Sequence, residues 1–396
     1  MPENSSSPET GRQAAPRFPA PAFERQDAIF AKAFSLLRQA IAQAAFPGAS
    51  IAVTSKGQLI ALQAFGRFTY APDSPLVTSA SVFDLASVSK VVATTSMAMI
   101  LYQRGLVDLE TPVVAIVPEF AGLNAGLNAG LNKDPRRGEV SLHMLLAHSS
   151  GLPAYERLFL KTKTRDELLD AAFTTPLTAD PGTRAEYSDI GFIILGVALE
   201  RIADESLDRF CPRELFGPLG MLHTTYNPPA AWRDSIPPTA DDGTFRHRII
   251  RGEVQDENAS VLGGVAPHAG LFATAEDVAT FAHTMLQGGP SLIRPETRAL
   301  FTHRESSPAG TSRALGWDTP SSPHSQSGKY FSAGSFGHLG YTGTSLWIDP
   351  TRDLSVTLLT NRTWPDCSNK AITEVRPTFH DAVVEALAPS GPENKI

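Results

Sequence analysis

The chain of 396 residues has only two cysteines, Cys211 and Cys367, which stand 156 positions apart. That excludes a disulfide-rich scaffold, and with no CxxC or close Cys/His pair there is no structural zinc motif. The pair reads as two unpaired thiols of a reducing compartment. Excess positive charge is missing too: 34 Lys+Arg face 41 Asp+Glu, a net charge of −7. An acidic chain is a poor partner for nucleic acid or an anionic membrane. No apolar run reaches the ~18 residues a membrane helix needs. The opening segment MPENSSSPETGRQAAPRFPAPAF has no apolar stretch of a secretory signal, so the cytoplasm is the expected compartment. Its prolines and serines bury too little surface to offset ordering, and residues 1–23 are expected to be a disordered tail. No serine lies in a GxSxG elbow, no HExxH or Walker A loop occurs, and no dinucleotide fingerprint is convincing. No metal or cofactor is expected.

What is present is ordinary globular composition, 42% hydrophobic and 19% charged, enough for two domains. Helical spacing runs from Glu24 to Ala45 (Ile29, Phe30, Ala33, Phe34, Leu37, Ile41). Ala49–Thr54 and Gln58–Phe65 read as strands of a hairpin around Ser55-Lys56-Gly57. Near the other end His338–Gly343, Thr344–Ile348 and Ser355–Asn361 are strand candidates, and a closing helix is expected from Pro377 to Leu387. The middle is helical: Val88–Arg104, Ser141–Ala147, Arg165–Phe173, Ile190–Ala203 and Ala275–Leu286. The pattern predicts an α/β plus all-α fold: an antiparallel sheet of about five strands, flanked by terminal helices, with a helical domain inserted. The expected boundaries are 24–85 with 315–388 for the discontinuous α/β domain and 86–314 for the helical one. Ala-Gly-Leu-Asn occurs three times from Ala121 to Asn132, too short for a solenoid, and is read as an exposed loop spanning 119–139.

Three short motifs carry candidate chemistry. Ser87-Val88-Ser89-Lys90 follows Asp84-Leu85-Ala86 and opens an apolar helical stretch. A serine at a helix start faces free amides that suit a developing oxyanion. An amine one turn on can take its proton if burial keeps it neutral. Tyr187-Ser188-Asp189 precedes the next helix, which Ser188 or Asp189 would cap, leaving Tyr187 on a fixed loop. His338-Leu339-Gly340 sits on a strand: Gly340 lets substrate lie close, and the Tyr341 amide offers a second oxyanion donor. Each has a plainer reading in isolation: a capping serine beside a solvated lysine, an aromatic packing a helix end, a strand histidine next to a glycine bulge.

Together and in this order, the three motifs resemble those of the serine β-lactamase and penicillin-binding-protein superfamily. The likeness is closest to the class C-like branch with its DD-peptidases and family VIII esterases. FPGASIAV at Phe46, LLAHSSGLP at Leu145, FGPLGM at Phe216 and GHLGYTGTSLWIDP at Gly337 agree. The resemblance spans Glu24 to Leu387. It implies that Ser87 is acylated, that Lys90 and Tyr187 handle its proton, with the base left open between them, and that the Ser87 and Tyr341 amides form the oxyanion hole. His338 takes the place of the usual lysine, and Asp189 that of the usual asparagine. An acid offers no amide donor to a substrate carbonyl but can hold Lys90 charged, and a neutral His338 grips a carboxylate less firmly than lysine. Both changes lean away from an efficient β-lactamase. The segment Gly252–Ala259 with Gly263–Phe272 looks like a branch with exo-acting N-acetylmuramyl-L-alanine amidases. There Asp256, Glu257 and His268 either line the site or brace its loops. His148 reads as structural. The expectation is a cofactor-free serine hydrolase acting on a small ester or amide. Alternatives are a muropeptide amidase or DD-peptidase, a β-lactamase, or a binding or sensor module of the same fold without turnover. The sequence leaves the oligomeric state open.

Overall fold

Alternation in Gly48–Ser55 sends Ile51 and Val53 to one face of a sheet and Ala52 to the other, as a strand's two-residue period requires. A two-residue turn joins this strand to Gln58–Gly66. Lys56 and Gly57 both take positive φ there, the turn whose twist matches a hairpin. In the computed structural model, which describes residues 21–122, 134–287, 292–321 and 324–388, the sheet has five antiparallel strands. Their order is 58–66, 48–55, 354–360, 345–349 and 336–339. Strands from the two ends of the chain thus pair at the centre, Ala49 opposite Thr360 through Ser55 opposite Leu354.

Helix Ala31–Ala42 buries Ala33, Phe34, Leu37 and Ala40, one stripe at helical spacing. With Phe379 and Val383 of the closing helix it covers the Ile51 face. The closing helix starts at Ile372, five residues before the expected Pro377, which lies inside it. Proline has no N–H for the Thr373 carbonyl one turn back. Gln326 Nε2 donates to that oxygen at 3.0 Å instead, so the helix runs through.

On the other face lies Ala275–Gln287, whose Ala275, Val278 and Phe281 join the core that includes Ala52. The stretch 86–314 therefore also supplies the sheet's second helical layer, because this helix carries an apolar stripe that packs on the sheet and, through Phe281, on Trp317. The rest of that stretch is mainly helical and is centred on Asp189–Ala203, buried over Ile190–Leu199. It also holds short strands: Phe83–Asp84, Leu271–Ala273 and Thr225–Tyr226 form one small sheet, and Ala240–Asp242 with Arg248–Ile250 a hairpin.

The Ala-Gly-Leu-Asn repeat from Leu123 on and residues 1–20 of the expected tail lie outside the described residues. The segment on the far side of the repeat is exposed at Pro135, Gly138 and Glu139 but anchored at one residue. Pro135–Glu139 is a helical turn, and Arg137 is buried, its guanidinium donating to the carbonyls of Phe120, Phe173 and Thr175. Among the described residues no helix is long and apolar enough to cross a membrane.

Candidate active site

The serine motif sits where strand Phe83–Asp84 turns into the long buried helix. Ala86 has φ +45°, a region a residue with a Cβ enters only when its surroundings hold it. Its N–H donates to Asp84 Oδ1 at 2.8 Å. Leu85 N–H donates to the Leu271 carbonyl, and Leu271 N–H to Ser89 Oγ. Ser87 thus begins a helical turn, half-buried and facing a cleft of about 830 Å³.

Lys90 is wholly out of solvent. Its Nζ lies 3.0 Å from Ser87 Oγ, 2.6 Å from Asp189 Oδ1 and 2.9 Å from the His268 carbonyl. Burial pulls its pKa down, and the neighbouring Asp189 carboxylate pulls the other way without reversing it. As an amine it can donate to Asp189 and His268 and still offer a lone pair to the Ser87 hydroxyl.

Tyr187 is placed by its neighbours. Ser188 caps the following helix, its Oγ accepting from Gly191 N–H at 2.9 Å. His148 Nδ1 accepts Ser188 N–H at 3.0 Å, and its ring lies 4.7 Å from that of Tyr187. His148 braces the loop, held neutral by burial and then by Arg313 and Lys90 nearby. Lys90 Nζ and the Arg313 guanidinium lie 4.8 and 5.3 Å from the Tyr187 ring centroid, contacts that favour the cations. The Tyr187 hydroxyl is buried with no partner at hydrogen-bond geometry, although Ser87 and Asp189 are near enough to act on it. Burial, reinforced by the Asp189 charge, keeps it a neutral phenol with a pKa well above the usual value.

His338 faces this group from the edge strand, its ring 5.9 Å from Tyr187. Its Nδ1–H donates to the Leu339 carbonyl at 2.8 Å, and Nε2 has no partner. Burial above all holds the imidazole neutral. Tyr341 turns its ring to solvent, 4.5 Å from the Arg362 guanidinium, while Arg362 Nε–H holds the Tyr341 carbonyl at 2.7 Å. The amides of Ser87 and Tyr341 donate to no other group among the described residues.

Gly340 lines the cleft and also meets the serine turn. A Cβ there would stand 2.6 Å from the Leu85 carbonyl and 3.4 Å from Ala86 Cβ. The missing side chain makes room for the serine turn, so the strand packs directly beneath Ser87. Asp256 and His268 are braces first: their side chains pair at 2.9 Å, and Asp256 Oδ1 accepts Ala259 N–H to cap a short helix. Burial pushes the Asp256 carboxyl up, but His268 beside it holds it below its ordinary value. Asp256 and Glu257 also line the cleft, whereas His268 stays behind it and reaches the site through its carbonyl.

A beta-lactamase family model matches residues 33–376. The chain belongs to that family. It is a serine hydrolase of the β-lactamase-related superfamily. Among curated proteins, the N-acetylmuramyl-L-alanine amidase of Bacillus subtilis (strain 168) is 32% identical over 353 residues, covering 81% of this chain and 78% of the relative. Two solved structures share the fold at low identity. EstCE1, a hydrolase with promiscuous acyltransferase activity, superposes with a TM-score of 0.71 at 22% identity, covering 90% of this chain and 99% of its own. Simvastatin synthase (LovD) from Aspergillus terreus reaches 0.71 at 20%, covering 91% and 99%.

Within this beta-lactamase family chain, two placements are marked by no motif: Arg313 at the cleft and Asp84 buried behind it. Arg313 lies in a loop without a motif, and nothing in sequence spacing marks a lone arginine. Asp84 stands beside the serine motif, but only the fold shows that its carboxyl is buried and doubly bonded. Among the described residues, no three His, Cys, Asp or Glu side chains are grouped to hold a metal ion.

Proposed function

We propose that the chain hydrolyses an ester or amide through an acyl-enzyme on Ser87, with Lys90 as the base. The 3.0 Å approach of a fully buried Lys90 Nζ to Ser87 Oγ carries this reading. Oγ attacks the substrate carbonyl carbon as its proton passes to the Lys90 amine. The resulting ammonium is met by Asp189 and the His268 carbonyl at 2.6 and 2.9 Å. The oxyanion is received by the amides of Ser87 and Tyr341. Tyr187, a neutral phenol with an unpaired hydroxyl, delivers a proton to the leaving alcohol or amine and is replenished from Lys90. Water then attacks the ester on Ser87 by the reverse proton path, releasing the acid and restoring the serine.

The neutral His338 favours a substrate whose polar group donates to Nε2 over one anchored there by a carboxylate. That supports a simple ester or amide ahead of a β-lactam. The Bacillus subtilis relative, named an N-acetylmuramyl-L-alanine amidase, favours a second reading, a muropeptide amide.

Ser87→Ala should abolish turnover of p-nitrophenyl butyrate and labelling by a fluorophosphonate. Hydrolysis by this variant at the parent rate would overturn the mechanism. Rates on a short-chain ester, a muropeptide and nitrocefin rank the substrate classes. A muropeptide rate far above the ester rate selects the second reading.

A further inference from the structure

Three hydrogen bonds converge on Asp84. Oδ1 accepts from Ala86 N–H at 2.8 Å, Oδ2 from Gln255 N–H at 2.7 Å, and the backbone carbonyl from Thr342 Oγ1–H at 2.8 Å. Each partner belongs to a different wall of the cleft. Ala86 precedes Ser87, Thr342 follows Tyr341, and Gln255 leads into Asp256 and Glu257, which line the opening.

Asp84 itself is 2% exposed and does not line the cleft. Placing an anion there is costly. Burial, opposed by the two amide donors, pushes its carboxyl up to about 6. The charged groups that act on it are Asp256, which raises it further, and Arg246, which lowers it. Arg246 also holds the carbonyls of Val254 and Gln255 at 2.7 Å each, fixing the wall that Asp84 grips from the other side.

We propose that Asp84 is a positioning residue that fixes the amides of Ser87 and Tyr341 relative to each other. The inference rests on Ser87 as nucleophile and goes beyond it. One amide is set through the carboxylate: Ala86 keeps φ +45° while its N–H has an acceptor, and that turn aims Ser87 N–H. The other is set through the carbonyl, because the Thr342 hydroxyl pins the residue after Tyr341. Arg362 and Arg376 hold the same strand end from the far side, at the carbonyls of Tyr341 and Gly340. Asp84 is its tie to the serine turn. Two amide donors meet one side chain, so a carboxylate satisfies both, whereas asparagine offers a single carbonyl.

The test uses Asp84→Asn and Thr342→Val, with fluorophosphonate labelling of Ser87, kcat and KM for p-nitrophenyl butyrate, and Tm. The expected result is labelling of the parent and a kcat lowered about tenfold or more in each variant, as small misplacements of reacting groups cost. KM should stay within about twofold, and Tm within a few degrees. A purely structural role would lower Tm and leave kcat per folded molecule unchanged, which overturns the proposal. So does parental kcat in either soluble variant. Should Asp84→Asn fail to fold, Thr342→Val, which removes one hydroxyl, decides alone. A parent that is active yet unlabelled at Ser87 brings down the nucleophile reading itself, and this inference with it.

Discussion

Lys90 Nζ lies 2.6 Å from Asp189 Oδ1, with the lysine at 0% and the carboxylate at 15% side-chain exposure. Burial disfavours the charged lysine, and the carboxylate restores part of what burial removes. Asp189 therefore bears on how readily Lys90 is an amine at rest and, in the mechanism we propose, on how well it keeps the proton taken from Ser87.

Asp189→Asn should move the acid limb of the kcat/KM profile to lower pH. The sign follows from the base: Lys90 must be neutral to accept a proton, and without the Asp189 anion burial is opposed only by the weaker pull of Asp256. A pH–rate profile on p-nitrophenyl butyrate checks it. A limb that stays put would separate Asp189 from the proton step.

Tyr187→Phe should separate activity from stability. The ring contacts with Lys90 and Arg313 survive, and only a buried hydroxyl without a partner is lost. Turnover should fall by about 10²- to 10⁴-fold, the usual weight of a positioned acid or base. Stability to urea should hold or rise, since an unpaired buried polar atom costs about 1–3 kcal/mol.

Gly340→Ala should damage both. The added methyl meets the Leu85 carbonyl at 2.6 Å, and both sides of that contact are backbone. Overpacking of this kind costs about 1–3 kcal/mol, and relief can come only from moving the strand or the serine turn. A lower urea midpoint together with a lower kcat is expected.

Acid sensitivity has a definite source in the closing helix, one turn from the cleft-lining Arg376. His380 is fully buried, its ring nitrogens at Gln326 O and Ser345 Oγ, with a pKa pushed down to about 3 by burial. Between its ordinary value near 6.5 and 3, the unfolded chain holds a proton that the folded one does not. Stability is therefore present above about 6.5 and lost as pH falls, by about 2 kcal/mol at pH 5. Asp84, raised to about 6, works in the opposite sense: its folded form holds the extra proton, so this contribution declines as pH rises from 3.8 to 6. Urea unfolding at several pH values should show a shallower acid slope for His380→Gln.

Local pattern sufficed for much of this. Alternation and helical spacing are short-range properties, so the five strands, their terminal helices and the helix Asp189–Ala203 were legible in order, as were the three motifs that carry Ser87, Lys90, Tyr187 and His338. Pro377 misled, because whether a helix tolerates an interior proline depends on a distant donor, here Gln326, to take the freed carbonyl. Gly340 lines the cleft, but no local pattern shows its second constraint, the Leu85 carbonyl 255 positions away in the chain.

The primary structure by itself determined which side chains could do chemistry and on what elements they ride, since those follow from residue type and spacing. Folding alone decided their charge and aim. The Lys90 pKa is lowered because the side chain is buried, with Asp189 opposing, His338 is neutral because solvent is excluded, and Asp84 grips three walls because strands remote in sequence close around it. Burial and long-range contact set protonation and geometry, and neither is a property of any stretch of chain alone.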